Sequence, residues 1–163
     1  MKMDRWFPVH LHDWPDGVLD LPLAGALVNV EWNIELINNY YGWNSKWPED
    51  PLQGMLRFMH SWEQLAFTKG IKLLPGAKVY FALENIDWIK DIDVIPELKN
   101  AGLVSLQIFH SYSNDYYNQA HGLTDKGKQL LKMADKYGLI IDLSHIQGPG
   151  LYDIIRNFNG RYI

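Results

Sequence analysis

From Leu52 to its end the sequence alternates between two hydrophobic periods, and that alternation limits the folds open to it. Leu52, Met55, Leu56, Met59, Trp62 and Ala66 recur at helical spacing, with Gly70 as the stop. Residues 77–83 read as a strand that ends at Glu84-Asn85. Asp93 and Pro96 open a short helix with Ile95 and Leu98 inward and Gly102 as terminator. Residues 103–109 form the next strand, ending at His110-Ser111, and a polar loop runs from Tyr112 to Gly122. Thr124 is suited to cap a helix over 125–137, striped by Leu130, Leu131, Ala134 and Tyr137. A strand over 139–143 follows, apolar along its body and polar at its tip. Leu151, Ile154, Ile155 and Phe158 mark one more helix, and residues 160–163 begin another strand. Helices alternating with strands in this way mean parallel strands joined by right-handed helical crossovers.

The first 51 residues are less regular. Residues 6–13 read as a short strand weakened by Pro8, followed by a turn at Trp14-Pro15-Asp16-Gly17. A helix is expected over 24–38, and residues 39–51 form a long aromatic loop. No glycine fingerprint follows the first strand, so a dinucleotide-binding fold is disfavoured. A (β/α)8 barrel needs eight strands and about 250 residues. With 163 residues and at most five strand candidates, the expected fold is a single, partial α/β TIM-barrel-like domain, about half a barrel. Half a barrel leaves strand edges and apolar interior uncovered, so such a chain is expected either to self-associate as a homo-oligomer or to be an excerpt of a longer protein.

Composition removes several function classes. The net charge of -4 offers no electrostatic footprint for nucleic acid. There is no cysteine, hence no disulfide frame, thiolate metal site or cysteine nucleophile. No apolar run reaches the ~20 residues of a membrane span, and the first residues lack the apolar core of a signal peptide. A cytoplasmic location is the default expectation.

The chemistry sits where strands end. Four strand ends carry metal-competent groups: His10-Leu11-His12-Asp13, Glu84, His110, and Asp142-Leu143-Ser144-His145. His10 and His12, two apart on a strand, share a face and can address one ion. A buried Glu84 would need a cation, a donor or a raised pKa. Asp142 falls on the opposite face from Leu143 and His145, which argues against it as a ligand. Taken singly, each has a structural alternative: a packed histidine pair, a solvated glutamate, a hydrogen-bonded histidine. Together they favour a shared site, because no packing requirement puts an ionisable group at every strand end.

The residues 81–84 (Phe-Ala-Leu-Glu), 107–111 (Gln-Ile-Phe-His-Ser), 122–127 (Gly-Leu-Thr-Asp-Lys-Gly) and 141–145 (Ile-Asp-Leu-Ser-His) follow one another in the order and spacing of a known group. Over about residues 77–158, and loosely over 6–20, the chain resembles the zinc-dependent dipeptidases related to renal dipeptidase, peptidase family M19. The resemblance implies two divalent zinc ions. Glu84 would bridge them, His145 would bind the second, and His110 would contact the substrate and support catalysis with Glu84. His10 and His12 would serve the first ion, where the family has His-x-Asp. Asn85-Ile86-Asp87 also departs from the glycines that follow the family's glutamate. The family's remaining zinc histidine and its substrate-handling Arg and Asp lie on later strands and have no counterpart here. The implied substrates are dipeptides or small amides. Two other readings remain: a different barrel amidohydrolase acting on a small amide or ester, which the His-x-His start suits, and a non-catalytic half-barrel that binds a partner or itself.

Overall fold

The computed structural model describes residues 6–10, 23–31, 50–68, 73–110 and 113–163. It divides into two compact units, residues 1–81 and 82–163. In the first, β1 (Trp6–His10) pairs in parallel with β2 (Leu23–Glu31), from Trp6 opposite Gly25 to His10 opposite Asn29. β2 replaces the helix expected over 24–38; residues 32–38 lie outside the described residues. The run Leu-Ala-Gly-Ala-Leu-Val-Asn-Val carries helix formers, but it is a short apolar run whose period does not separate helix from strand. Pairing with β1 decides it, and Val28 is fully buried. The turn at 14–17, His12, Gly70 and most of the aromatic loop also fall outside the described residues.

Helix α1 (Pro51–Thr68) starts one residue ahead of its expected position, and Asp50 accepts the Leu52 N–H at 2.9 Å. Of its expected stripe Met55, Leu56, Met59 and Trp62 are buried and Leu52 is half-buried, and Phe58, outside that stripe, is buried with them. Phe58 meets Phe81 edge-on, ring centroids 6.4 Å apart. Phe81 belongs to β3 (Leu73–Asn85), the neighbour of β2 in the sheet.

The C-terminal end of β3 opens the second unit, where the order is β3, β4 (Leu103–Gln107), β7 (Ile140–Asp142). β4 and β7 run parallel, with Gln107 opposite Asp142. Tyr162 then bridges to Ile141 in parallel, the strand start expected at residues 160–163. Helix α2 (Ile95–Asn100) leads into β4 and buries Ile95 and Leu98. It follows a 3-10 turn (Ile92–Val94) capped by Asp91, which accepts from Asp93 N–H at 2.9 Å. Helix α3 (Asp125–Lys136) buries Leu130, Leu131 and Ala134, and helix α4 (Pro149–Asn157) buries Ile154. Ile155, placed by spacing in the α4 stripe, is exposed instead.

The segment expected to be a polar loop is ordered around two buried aromatics. β5 (Tyr117–Asn118) and β6 (Gly122–Leu123) form a small antiparallel ladder. Asn114 fixes it: its side-chain amide donates to Asp87 Oδ1 and to the Ile108 carbonyl, while its Oδ1 accepts from Tyr116 N–H and Tyr117 N–H, each at 2.8 Å. The Tyr116 hydroxyl donates to the Ile89 carbonyl inside the core.

Two outcomes follow from these contacts. Asn114→Ala leaves three half-buried backbone groups to find new partners, so it should lower unfolding free energy by about 2–4 kcal/mol in urea titrations. Burial, with the nearby Asp115 and Asp91 charges, pushes the Tyr116 phenol up to about 12 from 10.0. The folded state therefore holds this proton more tightly than the unfolded state. The resulting stability is complete below pH 10 and drains away as pH rises toward 12. Tyr116→Phe should start less stable by about 1–3 kcal/mol, because the Ile89 carbonyl loses its donor, and should show a flatter fall over that pH window.

Candidate active site

Three of the strand-end residues singled out by sequence meet in the second unit. Glu84, second from the end of β3, is only 9% exposed. His110, three residues beyond β4, brings Nε2 to 3.5 Å from Glu84 Oε1. That separation is an electrostatic contact when the imidazole is protonated, and it is longer than an ordinary hydrogen bond. The ring of His145 lies 4.7 Å from the ring of His110, tilted by 50°. Parallel pairing explains the meeting: β4 and β7 point their C-terminal ends the same way, so their terminal side chains emerge at one edge. His10 ends β1, and nothing is described of its side chain; His12 lies outside the described residues.

The turn carrying His145 is specified locally. Asp142 Oδ1 accepts the Ser144 N–H at 2.8 Å, and the Leu143 carbonyl accepts the Ile146 N–H at 3.1 Å. Within this four-residue turn His145 occupies the third position with φ +67°, and among the described residues it is the one non-glycine with positive φ. That pattern is a type II turn, whose third position favours glycine. A histidine held there keeps a backbone conformation that costs energy, a pattern that concentrates at functional sites. Asp142 thus shapes the turn rather than offering itself beside His145.

His110 and His145 face a cavity of about 460 Å³. Phe109 and Tyr117 form its aromatic wall, ring centroids 4.7 Å apart. Gln119, Gln147, Gly148 and Pro149 make the rim. Burial, followed by the Asp153 charge, raises the Tyr117 pKa. Sequence reading missed Tyr117, which stands in a run of Asn, Asp, Tyr and Gln. The available signal was Asn114, an Asx-turn former three residues ahead of it.

The donor types at this edge, a carboxylate and imidazoles without thiolate, suit zinc or a similar divalent ion. Among the described residues, however, no group of three or more His, Asp or Glu closes on one ion.

No protein-family profile and no curated protein sequence matches the chain. Solved structures do. It is similar to dipeptidase AC, a metallopeptidase of family M19, with a TM-score of 0.60, 15% identity, and coverage of 86% of this chain and 49% of that one. It is similar to a metallopeptidase from Rhodobacter sphaeroides liganded with a phosphinate mimic of the dipeptide L-Ala-D-Ala, with a TM-score of 0.59, 16% identity, and coverage of 86% and 51%. An amidohydrolase from Pseudomonas aeruginosa matches with a TM-score of 0.55, 15% identity, and coverage of 84% and 43%. The chain has the α/β fold of these proteins. It spans about half their length.

The strained turn gives a direct test. At an ordinary position alanine is more stable than glycine by about 0.4–1 kcal/mol. At position 145 the order should reverse, with His145→Gly unfolding at higher urea concentration than His145→Ala, because an L side chain in this conformation costs about 1–2 kcal/mol.

Proposed function

We propose that this chain carries part of the site of a metal-dependent hydrolase, built on a partial TIM-barrel-like fold, that cleaves small amide bonds, dipeptides first. The observation that carries this reading is the convergence of buried Glu84, His110 and His145 on one edge, beside a cavity of dipeptide size. The likeness to metallopeptidases, one of them liganded with a dipeptide mimic, supports the same reading.

Glu84 and His145 are the ligands we assign within the second unit, with His10 and His12 carried from the sequence as further donors. A bound divalent ion, zinc in first place, supplies a Lewis acid for the amide carbonyl and lowers the pKa of a water. The chain's own groups do the rest. His110 donates an N–H toward the carbonyl oxygen as negative charge develops there. Glu84, with Oε1 3.5 Å from His110 Nε2, helps hold the imidazole in place beside the cavity. The Phe109–Tyr117 wall shields one side of the cavity from water and holds the substrate against His110. Hydrolysis of another small amide or ester is the second reading, favoured by the His10-Leu11-His12 pair and by the likeness to an amidohydrolase.

The test is metal binding followed by turnover. Calorimetric titration with zinc should give a bound ion. Glu84→Gln and His145→Ala should each weaken it by more than about 100-fold, beyond the loss expected from removing an outer partner alone. With metal loaded, alanine dipeptides should be cleaved in preference to acetate esters, and chelation should abolish turnover. Undiminished metal affinity in both variants would reject the assignment.

A further inference from the structure

We propose that Tyr117 sets the size of the group the cavity accepts beside His110, and that this group is not cationic. The inference rests on the hydrolase reading for its purpose, but its geometry is independent of any metal.

Tyr117 is fixed from every side. It is 1% exposed. Its N–H donates to Asn114 Oδ1, and its carbonyl accepts the Asn114 N–H, both at 2.8 Å. Across the ladder it pairs with Leu123. Its ring lies against Phe109 at 4.7 Å, and its hydroxyl donates to the Gln147 carbonyl at 3.3 Å. The room for its hydroxyl comes from Gly150: a Cβ there would stand 2.0 Å from that oxygen. A wall residue tied to β5, Phe109 and the segment after His145 cannot swing aside for a larger ligand as a loose loop side chain could.

The lining also states what kind of group fits. Phe109, Tyr117 and Pro149 are apolar surfaces, and Gln119 and Gln147 are neutral amides. No Lys, Arg, Asp or Glu lines the cavity among the described residues. A cationic side chain entering it would lose water without meeting a carboxylate on the lining. The ligand class is therefore a short amide with a small side chain that carries no positive charge. Asn114 acts at one remove, as a positioning residue for Tyr117.

Binding of N-acetylglycinamide, N-acetyl-leucinamide and N-acetyl-phenylalaninamide to the metal-free protein tests this, followed through the NMR signals of the His110 and His145 imidazoles. The wild type should bind the glycine and leucine amides in preference to the phenylalanine amide. Tyr117→Ala should shift that ratio toward phenylalanine by about tenfold, the scale on which a pocket of changed volume discriminates. Gly150→Ala would put a Cβ 2.0 Å from the Tyr117 hydroxyl and 2.2 Å from a ring carbon, so it displaces the ring and should change the ratio as well, while Tyr117→Phe keeps the wild-type order. An unchanged ratio in folded Tyr117→Ala and Gly150→Ala overturns the proposal, as does the absence of imidazole shifts with every amide. Size-dependent amide binding without dipeptide cleavage by the metal-loaded protein would reject the hydrolase reading and leave this one standing.

Discussion

A carboxylate held out of water is the constraint around which the second unit is arranged. Glu84 stands next to the end of β3 after the apolar run Val79 to Leu83, and burying its charge is costly unless something answers it. The answer comes from the next strand end, where His110 approaches, and beyond it from His145. Helices α2 and α3 exist, in this sense, to return the chain so that each strand ends at the same edge.

This arrangement was legible in the sequence where period and polarity change together. The apolar runs before Glu84, His110 and His145 stop where ionisable residues begin, and parallel topology turns three separate stops into one edge. The helices were equally plain, because Thr124 caps and the α1 and α3 stripes are regular. The region before residue 52 was not. Small residues such as Ala24, Gly25 and Ala26 suit a helix and a covered parallel strand alike, so only the pairing of β2 with β1 separates them. His10 and His12 remain proposals on sequence grounds.

The aromatic wall was hidden for a different reason. Tyr116 and Tyr117 follow Asn114 and Asp115 in a run that reads as solvent-facing loop. Their burial depends on hydrogen bonds made by one side-chain amide, Asn114, to the Asp87 carboxylate, 27 residues away, and to the Ile108 carbonyl, six residues away. Local propensity carries no record of such a bond, and a polar composition conceals it.

The same loop is joined to helix α3 through a single residue. Thr124 accepts the Gly127 N–H to cap the helix, donates its hydroxyl to the Asp115 carbonyl at 2.7 Å, and gives its N–H to the Tyr116 carbonyl at 3.0 Å. Gly127 lets that carbonyl come close, since a Cβ there would lie 2.1 Å from it. Uncapping the helix and releasing the loop are thus one event. The cavity wall inherits the cooperativity of α3, so its amides exchange with solvent on the timescale of helix opening rather than of loop motion.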